Sequence, residues 1–461
     1  MFGVVTIETP ELGDRSYLAH DGDVAIVIDP QRDIDRVAYA AGAAGVRIVC
    51  VAETHLHNDY VSGGLALARL TGADYLVSAA DEVGFDRHGV VGGDQVTVGS
   101  MTLRVISAPG HTEHHLAYVL SDAEGRQRAL FSGGSMLYGT VGRTDLVGPE
   151  STDGLTRAQY RSVRRLASGL PADVEVLPTH GFGSFCSSAK ASGATESTIG
   201  AERSANLALV GGDEDAFVEQ LLAGLMAYPR YYSHTGARNR AGASPIDLSA
   251  PNLLHPEQLS SRIDAGEWVV DLRQRRAFAA AHVKGAIGVE LASGFATYLG
   301  WVIPWGTPVT LMAQSPAILV EAQRCLARIG IDRPAGGAIG EPATLAGDRS
   351  LSSYPVSDFA GLALARSQPD TVILDVRRDD EWRLGHLAGA VHIPLADLVE
   401  RLTEIPSGTL WAHCASGYRA AIAASLLDRA GRDVVLVDDE WASVGTSGLA
   451  LVDTPQAPAP A

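Results

Sequence analysis

The feature that most restricts the fold is an internal repeat in the second half of the chain. VVDLRQRRAFAAAHVKGAIGVEL at 269–291 aligns with VILDVRRDDEWRLGHLAGAVHIPL at 372–395. Both copies read as strand, helix and short strand, and each is followed by a further strand and a long helix. The positions that match at one offset are Asp271 with Asp375, Arg273 with Arg377, His282 with His386, Gly285 with Gly389, and Ala286 with Ala390. The repeat predicts two copies of a small α/β domain.

The remaining length leaves room for another domain before the repeat, because 461 residues suggest two to four domains. The turn-rich stretch AGASPIDLSAPN reads as a linker. We therefore expect four segments: an N-terminal domain with C-terminal helices at 1–250, a degenerate repeat domain at 251–347, an active repeat domain at 354–448, and a disordered tail at 449–461.

Charge and cysteine content exclude several classes of function. A net charge of −18 disfavours binding to nucleic acid or to anionic membranes. The sequence has no apolar run of membrane-spanning length, and its N-terminus does not read as a signal peptide. The four cysteines lie far apart, which fits a reducing cytoplasm better than a disulfide framework.

In the N-terminal domain, chemistry-bearing side chains follow predicted strands. VAIVIDP (24–30) and IVCVAETH (48–55) read as buried strands that end at polar residues. LALARLTG (65–72) predicts a helix closed by Gly72, and residues 96–111 predict a hairpin that turns at 98–100. An α/β sheet places its ligands at such strand ends.

In the second repeat, a cysteine stands between a predicted strand and a predicted helix. TLWAHCASGYRAAIAASLLDRAG places Cys414 at the end of the strand, Arg419 at the start of the helix and Gly417 between them. The backbone N–H groups of such a loop, the helix N-terminus and Arg419 would together stabilise a thiolate or persulfide. The alternative is a buried core cysteine, but a core residue is not expected before a Ser-Gly-Tyr-Arg turn.

These residues resemble the rhodanese family. The resemblance rests on CASGYR, on the DVR at 375–377, on Glu381–Trp382 and on GHLAGAVHIPL at 385–395. It implies a parallel α/β sheet and a nucleophile, Cys414, that carries sulfane sulfur as a persulfide. The loop that it implies for holding the persulfide is Ala415, Ser416, Gly417, Tyr418 and Arg419. Related phosphatases have one more residue in this loop, so the shorter loop favours one sulfur atom over phosphate.

The first repeat departs from this pattern. After the predicted strand at 309–312, residues 313–319 read AQSPAIL and contain no cysteine, arginine or glycine. Cys325 lies further along the following helix and is predicted to be a core residue. This copy resembles an inactive rhodanese domain that serves packing or docking.

The N-terminal domain carries histidine-rich motifs in order. They are THLHNDY at 54–60, PGHTEHH at 109–115, LFSGGSMLYGTVGRTDL at 130–146 and LPTHGFGS at 177–184. Together with IDPQRD, GRTDL and TIGAERSANLAL, these motifs resemble the metallo-β-lactamase fold, an αββα sandwich. The nearest resemblance within that fold is to the persulfide dioxygenases and their glyoxalase-II relatives.

The resemblance also implies metal ligands. The family's ligand positions correspond to His55, His57, Asp59, His111 and His180. Two of its positions are altered, since Tyr60 stands where histidine is usual and Gly134 where the family has its metal-bridging aspartate. The iron ligands of persulfide dioxygenases would correspond to His55, His111 and the lost residue at 134.

The identity of the metal stays open at this point. Non-haem Fe(II) prefers two histidines and a carboxylate, whereas three histidines (His55, His57 and His111) could hold Zn²⁺ with a water. The expected cofactor is Fe(II), otherwise Zn²⁺ or none. Asp145 is read as structural or substrate-facing, and His114 as exposed.

The expected function is sulfane-sulfur metabolism. Rhodanese-type transfer through Cys414 would be coupled to a persulfide dioxygenase-like domain with a depleted metal site. The alternatives are a sulfurtransferase with a metal-free scaffold domain and a zinc thioester hydrolase of the glyoxalase-II type. The expected partners are a small-molecule persulfide or thiosulfate, a thiol acceptor and a second copy of the chain.

Overall fold

The computed structural model describes residues 2–189 and 193–452. The chain divides into two compact units, one comprising Met1–Asp247 with Ala327–Gly330 and the other comprising Leu248–Leu326 with Ile331–Ala461. Within the described ranges, none of the helices combines the length and the apolar character needed to cross a bilayer.

The first unit contains two sheets. The six-stranded sheet follows chain order: β1 (Gly3–Thr9), β2 (Asp14–His20), β3 (Val24–Ile28), β4 (Arg47–Ala52), β5 (Asp74–Ser78) and β6 (His88–Val90). The five-stranded sheet has the order β11-β10-β9-β8-β7, formed by β7 (Gln95–Val98), β8 (Met101–Ser107), β9 (Leu116–Ser121), β10 (Gln127–Gly133) and β11 (Glu175–Pro178). The predicted hairpin is present, with Val98 opposite Met101.

Helices cover the outer faces of both sheets. The helices described in this unit are α1 (Asp35–Ala44), α2 (Gly64–Thr71), α3 (Pro149–Gly169), α4 (Ile199–Ala205), α5 (Leu207–Val210), α6 (Glu214–Gly224) and α7 (Tyr232–Ala241). One core joins apolar side chains of the two sheets, including Ile26 and Phe131. Helices α1 and α2 pack on the first sheet, and α3 and α6 pack on the second. This is the predicted αββα sandwich.

The first half of the second unit is built around one small sheet. Its elements are α8 (Pro256–Asp264), β12 (Trp268–Asp271), α9 (Arg275–Ala280), β13 (His282–Val283), β14 (Ile287–Gly288), α10 (Phe295–Val302), β15 (Val309–Ala313), α11 (Pro316–Arg328), β16 (Gly336–Ile339), α12 (Pro342–Leu345) and β17 (Leu351–Ser352). The main sheet has the order β14-β12-β15-β16, and every neighbouring pair is parallel.

The second half repeats that arrangement. Its elements are β18 (Val356–Ser357), α13 (Phe359–Ala365), β19 (Thr371–Asp375), α14 (Asp379–Arg383), β20 (His386–Leu387), β21 (Val391–His392), β22 (Thr409–His413), α15 (Tyr418–Arg429), β23 (Val434–Val437), α16 (Val444–Ser447) and β24 (Leu451–Val452). Short 3₁₀ helices lie at Leu395–Asp397, Leu402–Glu404 and Trp441–Ser443. The parallel sheet reads β21-β19-β22-β23-β18, the order of the first half with one strand added.

The C-terminal segment differs from the sequence-based expectation. Leu451–Val452 forms β24 and pairs antiparallel with β20, so the predicted tail at 449–461 does not begin at 449. The rest of that segment, residues 453–461, lies outside the described residues.

Candidate functional site

Cys414 lies where the sequence placed it, in the loop between β22 and α15. Its side chain is buried. Gly417 precedes α15 with φ of 81°, a conformation that glycine adopts readily. A Cβ at position 417 would lie 2.1 Å from Oδ1 of Asp438. Glycine is therefore required here for the loop to close around Cys414.

Arg419 is fixed in the first turn of α15 by a carboxylate. Its guanidinium donates to both oxygens of Glu381, at 2.5 and 2.7 Å. Burial opposes ionisation of Glu381, but Arg419 and Arg378 lower its pKa to about 2. The two-point pair fixes the guanidinium beside the helix N-terminus, where its N–H groups and the helix dipole would stabilise a sulfur anion on Cys414.

The first half of the unit contacts this loop region of the second half. The hydroxyl of Tyr418 donates to the carbonyl of Glu290 at 2.7 Å, and the rings of Tyr298 and Tyr418 lie 5.7 Å apart. Arg275 and Arg276 both bind the carboxylate of Asp438. The first half therefore supports the loop that carries Cys414.

In the first half itself, no cysteine stands between the equivalent strand and the helix that follows it. β15 ends at Ala313, and Pro316 begins α11. Cys325 is buried within that helix. That this half carries no sulfane sulfur stays a prediction.

In the N-terminal unit, the predicted metal ligands gather beyond the ends of the strands. His55 follows β4, His111 follows β8 and His180 follows β11. These side chains and that of His57 are fully or almost fully buried. The potential ligand atoms of His55, His57 and His180 lie within 4.8 Å of one another, as do those of His111, His180 and Cys186. His180, rather than His111, thus completes the set with His55 and His57.

Neighbouring acceptors fix which ring nitrogen of His55 and His180 carries the proton. Nδ1 of His180 contacts Asp14 at 2.9 Å and Asp59 at 3.0 Å. The hydroxyl of Thr54 donates to Asp29, so it accepts from Nδ1 of His55 at 2.9 Å. When both rings are neutral, each Nε2 therefore offers a lone pair, and the two atoms lie 3.4 Å apart. Such outer hydrogen bonds orient histidines that bind metals.

The other two histidines are oriented in the same way. His111 donates from Nδ1 to the carbonyl of Arg143 at 2.6 Å. His57 directs Nε2 toward Asp29 at 3.3 Å and Glu53 at 3.4 Å. Nε2 of His111 and Nδ1 of His57 are buried and find no hydrogen-bond partner among the described residues. Buried polar atoms of this kind require an explanation, and a bound cation supplies one.

The electrostatics of the site depend on these carboxylates. Burial opposes protonation of His57 and His180, yet their acidic neighbours raise the pKa of His57 to about 9 and that of His180 to about 10. Burial lowers the pKa of His111 to about 3. A bound metal ion would displace a proton from His57 and from His180, whereas the His111 ring is already neutral.

The position of the lost aspartate is filled. A Cβ at Gly134 would lie 2.2 Å from Cδ2 of His111 and 2.5 Å from its Cγ. The imidazole ring therefore occupies the space that a side chain at 134 would need. The two-histidine, one-carboxylate arrangement does not fit here with His111 in this position.

Two parts of the chain are similar to different known proteins. The Rhodanese-like domain family matches residues 360–445. The last sheet belongs to a rhodanese domain. The N-terminal region is homologous to the human mitochondrial persulfide dioxygenase ETHE1, with 29% identity over 197 residues, or 42% of this chain and 68% of that protein. A hydroxyacylglutathione hydrolase of Methylococcus capsulatus is 30% identical over 186 residues, covering 38% of this chain and 66% of that enzyme.

A solved structure supports the fold of the N-terminal region. The crystal structure of a metallo-β-lactamase from Staphylococcus aureus superposes with a TM-score of 0.66 and 25% identity, covering 74% of this chain and 99% of that one. The metallo-β-lactamase fold and the rhodanese domain are thus both established. Together with the homology to a persulfide dioxygenase, they place the chain in sulfur metabolism, with sulfur transfer as the family-level activity of the rhodanese domain.

Other predicted positions take supporting roles. Tyr60 stacks on His57 and its hydroxyl lies 3.0 Å from Nε2 of that ring, so it orients His57. Asp145 forms a two-point pair with Arg143. His114 is partly exposed and pairs with Asp81, whereas His115 is buried and stacks on His55.

The sequence did not single out four residues of the metal site. Asp14 contacts His180, and Glu53 contacts His57. Asp29 accepts a hydrogen bond from the N–H of Thr54 and contacts His57. The sulfur of Cys186 lies within 4.8 Å of ligand nitrogens of His111 and His180. One sequence signal was available for Asp29, because it ends a predicted strand. In the structure it takes a φ of 50°. Cys186 follows His180 by six residues, but nothing in the sequence indicates that the loop folds back.

A cavity of about 620 Å³ lies beside the histidines. Leu56 and Asn58, which flank His57 in the chain, form part of its wall. Its other lining includes Thr112, Tyr228, Tyr232 and Arg240. A small organic molecule of mixed polarity fits a cavity of this size.

One prediction concerns the acid stability of the rhodanese domain. The pKa of Glu381 falls from 4.5 to about 2 on folding, so its stabilising effect is complete above pH 4.5 and is lost as the pH falls through 2. Glu381→Gln should therefore lower the free energy of unfolding near neutral pH by up to about 3 kcal/mol. The difference from the unmodified protein should shrink between those two pH values, as measured by denaturant titration at several pH values.

Glu404→Gln provides the control for this prediction. Glu404 also pairs with an arginine, Arg401, but both side chains are largely exposed, and solvent screens such pairs. Equal effects of the two substitutions would contradict a special role for the Glu381–Arg419 pair.

Proposed function

We propose that this chain transfers sulfane sulfur from a low-molecular-weight persulfide or thiosulfate to a thiol through a persulfide on Cys414. The observation that carries the proposal is the loop between β22 and α15, which places Cys414 beside the helix N-terminus and an arginine fixed by Glu381. The rhodanese family match over this segment supports the same reaction.

Two exchanges at sulfur make up the proposed reaction. The Cys414 thiolate attacks the outer sulfur of a donor persulfide, R–S–S⁻, so a new S–S bond forms while the donor S–S bond breaks and R–S⁻ leaves. An acceptor thiolate then attacks the outer sulfur of the Cys414 persulfide and regenerates the Cys414 thiolate. Backbone N–H groups of residues 415–419 and the Arg419 guanidinium stabilise the anionic sulfur in both states.

Mass spectrometry of the loaded protein tests this step. After incubation with glutathione persulfide and removal of excess reagent, the proteolytic peptide that contains Cys414 should gain the mass of one sulfur atom. Subsequent cyanide should remove that sulfur. Loading on Cys325 or Cys50 in place of Cys414 would contradict the proposal.

We further propose that the N-terminal domain binds one metal ion and acts on the same class of persulfide. The support is the group of buried imidazoles whose free nitrogens face one another, beside a cavity that can hold the carrier thiol. When bound, a metal ion would supply an open coordination position for sulfur or water. His55, His57 and His180, whose potential ligand atoms lie within 4.8 Å of one another, would hold it, while Asp14 and Asp59 keep His180 oriented.

A hydrolase is the second candidate for this domain, because hydroxyacylglutathione hydrolases are among its relatives. The two activities are separable in one experiment. Persulfide-dependent oxygen uptake would favour oxidation, and hydrolysis of a glutathione thioester without oxygen uptake would favour the hydrolase.

The metal site itself is tested by His180→Ala. His180 belongs to both groups of three close ligand atoms, so its loss should reduce bound metal at least tenfold, as measured by elemental analysis. His114→Ala is the matched control, because His114 is close to His111 in the sequence but is not among the clustered ligand atoms. Its side chain is partly exposed and pairs with Asp81. Unchanged metal content in His180→Ala would contradict the site.

A further inference from the structure

The charged side chains around Cys414 balance one another. The guanidinium of Arg419 donates to both oxygens of Glu381, and Arg378 contacts the carboxylates of Asp380 and Glu381. The positive and negative charges of this group therefore cancel. A sulfur anion on Cys414 depends on individual hydrogen-bond donors aimed at it rather than on an excess of positive charge.

The loop that follows Cys414 supplies the first of these donors. The backbone N–H groups of residues 415–417 find no acceptor among the described residues. Gly417 takes a φ of 81° and leads the chain into α15. Successive N–H groups without acceptors form a concavity that suits an anion. An anionic sulfur on Cys414 would therefore meet donors from its own half of the unit.

Tyr298 brings a further donor from the first half of the unit. It lies in α10, and the centre of its ring is 5.7 Å from that of Tyr418, the residue before Arg419. On another side its ring stacks on that of Trp301, with the centres 6.0 Å apart. The hydroxyl of Tyr298 makes no hydrogen bond within the described part of the chain. The ring is thus held in place while its polar end has no acceptor.

The ionisable groups that act on this hydroxyl are those of the sulfur-carrying site. Burial is the largest cause of a raised pKa of Tyr298, which Cys414 and Glu381 raise further and which Arg419 and Arg378 oppose. The hydroxyl therefore keeps its proton near neutral pH. It is a donor that lies close to Cys414 but does not hydrogen-bond to its sulfur.

Loading of Cys414 with sulfur creates the missing acceptor. In a persulfide the negative charge lies on the outer sulfur, which is joined to Sγ by a bond of about 2.05 Å. The anionic atom therefore lies beyond Sγ but still among the groups that surround Cys414. A sulfur anion has several lone pairs, so it can accept from the loop N–H groups and from a phenolic O–H together.

We propose that the hydroxyl of Tyr298 donates a hydrogen bond to the outer sulfur of the Cys414 persulfide, which makes Tyr298 a catalytic residue supplied by the half that has no sulfur-carrying cysteine. The proton stays on the phenolic oxygen throughout, so no bond of Tyr298 forms or breaks. This inference rests on the proposed sulfur transfer through Cys414 and adds one donor to it.

Tyr298→Phe tests this contact, because it removes one oxygen atom and keeps the ring. In the full chain, kcat/KM for thiocyanate formation should fall about tenfold with thiosulfate and with glutathione persulfide, since a hydrogen bond to a charged atom is lost. Tyr354→Phe is the matched control. Its hydroxyl is buried in the same unit and also lacks a partner among the described residues, and its removal should leave kcat/KM unchanged. Equal kcat/KM in Tyr298→Phe and the unmodified protein would overturn the inference.

An equilibrium measurement separates the hydroxyl from a structural effect. At a fixed ratio of glutathione persulfide to glutathione, mass spectrometry gives the fraction of Cys414 that carries sulfur. The equilibrium constant for loading should be about tenfold lower in Tyr298→Phe, with the midpoint of unfolding in denaturant unchanged. Loading equal to that of the unmodified protein would contradict the proposed contact.

Two other outcomes have distinct meanings. If the unmodified protein neither forms thiocyanate nor loads sulfur on Cys414, both the proposed sulfur transfer and the role of Tyr298 are overturned. A crystal structure of the sulfur-loaded full chain examines the contact without any variant. The phenolic oxygen of Tyr298 should lie within hydrogen-bond distance of the outer sulfur, and a hydroxyl directed away from that sulfur would overturn this inference alone.

Discussion

Replacing Cys414 by serine should abolish cyanide-dependent thiocyanate formation, with kcat lowered by at least about 10³-fold. Serine preserves the size of the side chain in a buried position, so the loop between β22 and α15 should remain folded. Its hydroxyl is not ionised near neutral pH and cannot carry sulfane sulfur as a persulfide. The assay is thiocyanate formation from thiosulfate and from glutathione persulfide.

Cys325→Ser is the matched control for this substitution. Cys325 is also buried and belongs to the same unit, but it lies within α11 rather than at a strand end. The Cys325→Ser protein should retain full thiocyanate-forming activity. If thiocyanate formation survived in Cys414→Ser and fell in Cys325→Ser, the nucleophile would lie in the first half of the unit. Metal content should be the same in both variants, because neither cysteine lies among the N-terminal histidines.

The parts of this molecule that follow from local pattern could be predicted from sequence. The repeat predicted two similar α/β segments, and the two parallel sheets share one strand order. Strand periodicity and the turn at Gly99 predicted the hairpin. The positions of Cys414 and Arg419 also followed, because a strand end and a helix start are both readable from a short segment.

The details of the metal site could not be predicted in the same way. Their geometry depends on contacts between segments far apart in the chain, such as Asp14 with His180 and Arg143 with His111. The sequence indicated that position 134, a glycine here, had lost the ligating aspartate of the family pattern. It did not indicate that the ring of His111 fills the space, or that Tyr60 orients His57 from behind.

The role of the first repeat illustrates the same limit. Residues 313–319 contain no cysteine, and from this we predicted a packing or docking function. The sequence did not indicate which side chains make the packing contacts. Glu290 binds Tyr418, and Arg275 and Arg276 bind Asp438, the residue that closes over Gly417. The first half thus acts on the loop of the second through groups that carry no recognisable motif.

Restoring a carboxylate at position 134 should not restore an iron site. Gly134→Asp should instead lower the free energy of unfolding by about 3 kcal/mol or more, because it overpacks a closed interior. The ring of His111 is held in place by its hydrogen bond and by the close approach of Gly142. Its Nδ1 is held by the carbonyl of Arg143, and a Cβ at Gly142, on another side of the ring, would already lie 2.7 Å from that nitrogen.

Gly154→Asp is the control for the loss of unfolding free energy that replacing any glycine by aspartate would cause without a steric clash. Gly154 lies exposed in α3, and nothing lies within 4 Å of a Cβ built there. Denaturant titration of the two variants should show a large loss for Gly134→Asp and little change for Gly154→Asp. A Gly134→Asp protein that is as stable as the original and gains one iron per chain would show that the site had only lost a ligand. The expected loss of stability would show that the ring of His111 has closed the space that a side chain at position 134 would need.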